Sequence, residues 1–144
     1  MSYSLRPAIS SDQPLIVALI HEVGINPMNL DWPRFLVAVE DGQVIGCGQI
    51  KPHRDCRELA SIAVRPERQS QGVGSAIVQA LLAQAAGPLY LTCQRHRQGY
   101  YERFGFARIG WGELPGSFKP VYVIGTAITR LFPVNRRLTI MRKA

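Results

Sequence analysis

The sequence predicts a single α/β domain built around a mixed sheet. Three observations carry this. The chain is 144 residues long, with 47% hydrophobic and 19% charged residues, which suits one compact core. Short runs rich in strand formers alternate with longer runs of helical spacing. Glycine and proline punctuate the junctions, and no linker, repeat or low-complexity tract interrupts them, so residues 1–144 read as one domain.

Leu5 and its neighbours form an opening strand ended at Pro7. Ser10 and Gln13 have capping-box spacing. Leu15, Ile16, Leu19, Ile20 and Val23 then follow at helical spacing up to Gly24. Residues 25–34, with Pro27 and Pro33, read as a loop. Residues 35–39 and 44–50 are strands joined by Asp41-Gly42, which suits the positive φ angles of a tight hairpin. Residues 51–57 form a polar connection, and the strand 58–64 stops before Pro66. From Val73 the period becomes helical and ends at Gly87-Pro88. Residues 89–93 are a strand, 98–104 a short helix closed by Gly105, 106–111 a strand and 138–141 the last strand. Residues 120–131 satisfy both helix and strand patterns.

Seventeen Lys and Arg against ten Asp and Glu give a net charge of +7. No acidic residue follows Glu113, whereas Lys119, Arg130, Arg136, Arg137, Arg142 and Lys143 do. Such a field favours anionic partners: nucleic acid, acidic protein or a polyphosphate. No run approaches the ~20 apolar residues of a membrane span, so no membrane partner is expected. The N-terminus lacks a signal peptide's apolar region, and three cysteines without a Cys-x-x-Cys pair suit a reducing cytoplasm. His21, His53 and His96 lack metal-ligand spacing, so no metal is expected.

The sharpest local feature is a strand entering a glycine-containing loop that opens into an amphipathic helix. It runs Ala63-Val-Arg-Pro-Glu-Arg-Gln69-Ser-Gln-Gly72-Val-Gly74-Ser75. The first amides of a helix have no intrahelical partner, and the helix dipole is positive there. Glycine lets an anion approach the backbone closely. Together these suit a pyrophosphate. No Gly-Lys-Ser/Thr follows, so this is not a Walker loop.

Gln69-x-x-Gly72-x-Gly74 resembles the Gln/Arg-x-x-Gly-x-Gly/Ala signature of the GNAT N-acetyltransferase family. Tyr100-Tyr-Glu-Arg-Phe-Gly-Phe106 is similar to the family's Tyr-Glu-Lys-Leu-Gly-Phe stretch. Arg6-Pro-Ala with Asp12 resembles its opening, and Asp41-Gly42 with Ile45-Gly46 its hairpin. The resemblance spans residues 3–111 in order and is weak over 112–144.

The resemblance implies the GNAT fold: a mixed, mostly antiparallel central sheet flanked by helices and splayed between the fourth and fifth strands. It implies an enzyme that transfers the acetyl group of acetyl-CoA directly to a primary amine, as a monomer or homodimer, with no metal. The acceptor stays open between small molecule and protein. Carried over, Gln69, Ser70, Gln71, Gly72, Val73, Gly74 and Ser75 hold the CoA pyrophosphate. Ile62, Ala63 and Val64 line the pantetheine arm, and Arg65 and Arg68 flank the loop. A non-catalytic CoA-binding or nucleic-acid-associated module on the same fold is the alternative.

Acetyl transfer needs a deprotonated amine, a donor for the oxyanion and a proton or hydrogen bond for the leaving thiolate. The backbone N–H of Val64 is the candidate oxyanion donor. The family's acid falls on Tyr101, with Tyr100 its neighbour; an aromatic pair packing the helix is the other reading. Glu58 is the candidate base, against a solvated strand-end carboxylate with water taking the proton. Strand alternation places Glu58 on one face with Ala60, Ile62 and Val64. Cys93 suggests either a thioester intermediate or a small buried hydrophobe. Gln94 and Arg95 are candidates to line the cofactor cleft, and His96 is a further candidate base.

Overall fold

The computed structural model describes residues 2–144. In chain order the elements are β1 (Tyr3–Pro7), α1 (Gln13–Val23), β2 (Phe35–Glu40), β3 (Gln43–Pro52), β4 (Arg57–Val64), α2 (Val73–Gln84), β5 (Leu89–Gln94), α3 (Gln98–Glu102), β6 (Ala107–Arg108), α4 (Lys119–Thr129) and β7 (Leu138–Lys143). The sheet has seven strands in the order β1-β2-β3-β4-β5-β7-β6. β4 and β5 are parallel, in register at Glu58 and Tyr90, whereas β1-β2, β2-β3, β5-β7 and β6-β7 are antiparallel. This is the mixed, mostly antiparallel α/β class the sequence predicts. The chain forms two compact units, Met1–Lys51 with Leu59–Ala86 and Pro52–Glu58 with Gly87–Ala144.

In the first unit, Ile16, Leu19 and Ile20 of α1 pack with Phe35, Val37, Val44, Cys47 and Ala63 in one core. Gly46 and Gly48 make room for α2. A Cβ on Gly48 would lie 2.6 Å from Ile62 Cδ1 and 2.8 Å from Ile77 Cγ2. The β2–β3 hairpin turns on Asp41 at φ 50° and Gly42 at φ 74°, as its dipeptide requires.

The start of α1 differs from the expected capping box. Residues 10–12 form a 3-10 turn, and Asp12 accepts the Ile9 N–H at 2.8 Å. Gln13 instead ties down the 25–34 loop, donating to the Leu30 carbonyl and accepting the Trp32 N–H at 2.8 Å. Loop pinning thus outcompetes capping for this side chain. β3 continues through Lys51 and Pro52, which the sequence reading placed in a connection.

In the second unit, β7 lies between β5 and β6, with Leu91 opposite Met141 and Arg108 opposite Met141 on the other edge. Phe118, Ile109, Leu114 and Ile140 form its core. The strand expected over 106–111 shortens to two residues because a 3-10 turn at Trp111–Glu113 diverts the chain. The ambiguous 120–131 segment is helical. Thr129 Oγ1 donates to the Gly125 carbonyl at 2.7 Å, and a Cβ on Gly125 would overlap Leu138.

Candidate active site

The glycine loop is built from the end of β4 and the start of α2. A 3-10 turn over Pro66–Arg68 leads into Gln69, whose side-chain amide donates to the Val64 carbonyl at 3.0 Å and so ties loop to strand. Ser70 at φ 63° and Gly72 at φ 87° fold the backbone back on itself, and Gly72 is the residue before helical Val73. The first α2 hydrogen bond runs from Ala76 N–H to the Gly72 carbonyl at 3.0 Å. The amides of Val73, Gly74 and Ser75 therefore precede the intrahelical ladder. Gln69, Ser70, Gln71 and Gly72 are exposed, while Val73 is buried and anchors the turn. Exposed loop residues thus lie beside a helix N-terminus, an arrangement suited to an anion.

Arg65 and Arg68 flank it, but both are engaged. Arg68 pairs with Glu40, and Arg65 lies 3.8 Å from Glu67. Ile62, Ala63 and Val64 follow Ser61, which sits at φ 60° in mid-strand. That left-handed residue interrupts the pleat. The alternation expected to carry Glu58 onto one face with Ala60, Ile62 and Val64 therefore does not run unbroken.

Ser61 belongs to a polar network that the sequence reading missed. Gln49 is fully buried; it donates to Ser61 Oγ at 2.8 Å and to the Asn29 carbonyl at 3.2 Å, and accepts from Arg34 Nε at 3.1 Å. Arg34 also holds Asp31 at 3.1 Å and the Asn29 carbonyl at 2.8 Å. Two residues along β3, Lys51 is only 7% exposed, and its ammonium reaches the Met28 carbonyl at 3.5 Å. Among the described residues no carboxylate pairs with it. Polar residues at 49 and 51 inside an otherwise apolar strand were the available signal.

In the second unit, Glu58 is no solvated strand end. Its carboxylate is 2.7 Å from His53 Nε2. The His53 N–H donates to the Cys56 carbonyl at 2.8 Å, a tight turn that folds the imidazole back onto the start of β4. The imidazole meets the buried Phe118 ring edge-on at 5.3 Å, and Phe118 in turn packs on Tyr90. His53 appears isolated in sequence; only the turn brings it to Glu58.

Tyr101 lies on α3, half-buried, with its ring edge-on to Tyr100 at 5.1 Å and near Phe106 at 6.2 Å. Burial, then the neighbouring Cys93 and Tyr100, push its phenol up to about 12, against a smaller opposing pull from Arg97. It is a protonated donor at neutral pH. Tyr100 stacks differently, against Phe104 and under the Arg103 guanidinium.

Burial pushes the Cys93 thiol up to about 11 and the Cys47 thiol to about 12. Cys56 rises to about 11 through burial and the nearby Asp55 and Glu58 carboxylates. A thiol so protonated is a poor nucleophile, and Cys93 sits 3.9 Å from the Met141 sulfur, a setting that suits a small hydrophobe. Gln94 is exposed and Arg95 half-buried, while the His96 Nδ1–H donates to the Asn135 carbonyl at 2.8 Å. Among the described residues no cluster of three His, Cys, Asp or Glu could hold a metal, and no helix is long and apolar enough to cross a membrane.

Residues 9–106 match the model of the acetyltransferase (GNAT) family. An amino-acid acetyltransferase of Neisseria meningitidis is 29% identical over 134 residues, which cover 83% of this chain but 30% of that protein. The chain thus spans under a third of the length of the amino-acid acetyltransferases it matches. The N-acetylglutamate synthase of Neisseria gonorrhoeae, crystallised with coenzyme A and N-acetyl-glutamate, superposes with a TM-score of 0.78. It has 22% identity over 98% of this chain and 34% of that one. A GNAT family acetyltransferase from Brucella melitensis, in complex with acetyl-CoA, gives a TM-score of 0.59 and 26% identity over 73% and 82% of the two chains.

Proposed function

The chain belongs to the acetyltransferase (GNAT) family, whose members are acetyl-CoA-dependent N-acyltransferases, and we propose that its acceptor is the α-amine of a free amino acid. The observation that carries this is Lys51. A buried ammonium without a counter-ion is costly, and it is answered by an anion that arrives with the substrate. An α-carboxylate is such an anion, and it distinguishes an amino acid from a simple amine. Arg34, held over the same network by Gln49 and Asp31, is a second cation near the 25–34 loop. The likeness to an amino-acid acetyltransferase points the same way.

The loop residues fit the donor. Gly72 in the left-handed region and the leading amides of α2 make a cradle suited to the CoA pyrophosphate, formed by Gln69 to Ser75. When bound, acetyl-CoA supplies an activated thioester. Ile62, Ala63 and Val64 orient it through their backbone, and the Val64 N–H stabilises charge on the carbonyl oxygen. Glu58, backed by His53, takes the amine proton, and Tyr101 donates to the sulfur. The whole chain, 1–144, works as one acetyltransferase domain in the cytoplasm, and its protonated thiols favour direct transfer.

The test is a comparison of free amino acids with their decarboxylated amines, followed by release of CoA thiol. Amino acids should be strongly preferred. Lys51→Met should raise their KM by about tenfold, the loss expected of one charge-assisted hydrogen bond, with little change in KM for acetyl-CoA. Equal turnover of amines lacking the carboxylate would overturn the proposal.

A further inference from the structure

We propose that the outward face of α4 docks on an anionic lipid surface. The packed side of this helix is fixed by three contacts. Tyr122 meets Trp111 at 5.6 Å between ring centroids, Gly125 abuts Leu138, and Thr129 Oγ1 accepts the Leu138 N–H at 3.1 Å. At 100° per residue, Val121, Ile124 and Ile128 lie within roughly 60° of one another on an outward face, and Leu131 follows in the turn just past the helix. They are exposed: Ile124 by 58%, Ile128 by 60% and Leu131 by 87%. Val123 on the helix, and Phe132 and Val134 in the turns that follow it, are exposed as well. A surface helix ordinarily turns its apolar stripe inward. Here the polar Thr129 and the small Gly125 face the protein and the large aliphatics face out.

The charge around the patch decides what covers it. Lys119 stands at the start of the helix, its ammonium 5.4 Å from the Trp111 ring; Arg130 follows its last residue, and Arg136 and Arg137 come in the segment that leads on to β7. No acidic residue follows Glu113, and Glu113 itself lies 3.6 Å from Arg142. A twofold pairing of two copies would repeat this patch against itself and set cationic rim on cationic rim, while the nearby carboxylates are already engaged, Asp55 by the Ser117 N–H and Glu113 by Arg142. Nucleic acid would match the charge but not the aliphatic side chains, since single strands are held by aromatic stacking. An apolar helix face bordered by Lys and Arg matches a bilayer interface. The aliphatics enter the acyl boundary and the cations meet anionic headgroups. Such a contact is peripheral and needs no spanning helix.

The test is co-sedimentation of the full chain with vesicles of phosphatidylcholine alone and of equimolar phosphatidylcholine and phosphatidylglycerol. Binding is expected to the anionic vesicles only, and it should weaken as salt screens the headgroups. Ile124→Ser, Ile128→Ser and Leu131→Ser combined should lower the partition coefficient by at least about tenfold, because each loses buried apolar area in the bilayer. Arg130→Gln with Arg136→Gln should remove most of the preference for phosphatidylglycerol. Unchanged thermal midpoints without lipid would show that both variants fold. Failure of the wild-type chain to bind, or equal binding by the serine variant, would overturn the proposal. So would a lipid-free dimer that the serine variant abolishes, which would assign the face to a second copy.

Discussion

His53 and Glu58 are joined side chain to side chain, Nε2 to Oε1 at 2.7 Å, with Glu58 only 14% exposed. The contact depends on the tight turn at residues 53–56 and on the Phe118 ring edge-on to the imidazole. A carboxylate and an imidazole so joined should act as a unit. Glu58→Gln and His53→Ala should each lower kcat/KM near neutral pH by about 10²-fold, within the range of a positioned base. The double variant should lose little more than either alone, because the effects of a coupled pair do not add. The loss should shrink as rising pH deprotonates the amine in solution. A loss uniform with pH would assign the pair to positioning substrate.

Tyr101 poses a question of proton affinity. A free thiol titrates near 8.5, so moving a proton outright from a phenol at about 12 is uphill by about 5 kcal/mol. On the proposed mechanism, Tyr101 would therefore stabilise the departing sulfur as a hydrogen-bond donor and keep its proton through most of the reaction. Tyr101→Phe should lower kcat by about 10²-fold with little change in KM for acetyl-CoA. Tyr100→Phe, whose ring packs on Phe104, is the control. With the phenol raised so far, no alkaline limb from its ionisation should appear below about pH 11. Equal small losses in both variants would leave Tyr101 a packing residue.

Gly72 makes its contribution through conformation. A Cβ there would meet nothing within 4 Å, but φ is 87°, a region side chains disfavour. Gly72→Val should lower stability by on the order of 1 kcal/mol and turn the leading α2 amides away from the cradle. Calorimetry should show acetyl-CoA affinity falling by about tenfold or more. Gly112→Ala, in open space without a positive φ, should change neither. Unchanged affinity for Gly72→Val would place the pyrophosphate elsewhere.

The elements that sequence made legible are those whose cause is local. The Asp41-Gly42 turn, the glycine loop before Val73 and the helical period of 73–84 each depend on neighbouring residues, and they stand where expected. What stayed hidden depends on distant partners. Gln13 has the spacing of a cap, yet Leu30 and Trp32 claim it. The 120–131 segment has apolar residues on its outward face, so neither period dominates, and contact with Leu138 settles it as a helix. His53 and Lys51 gain meaning only where the turn and the burial of β3 place them. Ser61 gives no sequence sign of its positive φ.

Asp12 provides a test of the fold that is separate from catalysis. It is buried, with Oδ2 2.7 Å from Arg6 Nη1 and 2.8 Å from the Ile9 N–H. The hydrogen bond from Arg6, aided by the Ile9 amide and opposed by burial, holds its carboxyl below the usual carboxylate range; the same bond raises Arg6. A folded-state value below the unfolded one means that the contribution is fully present above about pH 4, where the unfolded carboxyl is ionised. It is lost as pH falls through the folded value. Denaturant melts at pH 7 should show Asp12→Asn less stable by on the order of 2 kcal/mol, the worth of a charge-assisted bond. Asparagine can still accept the Ile9 N–H, so the loss reports the ion pair more than the cap. Once pH falls below the folded value the wild-type carboxyl is neutral too, and the two curves should converge. A gap that stays constant from pH 7 down to the acid limit of the folded state would assign the loss to shape and hydrogen-bond geometry, with the charge of Asp12 contributing nothing.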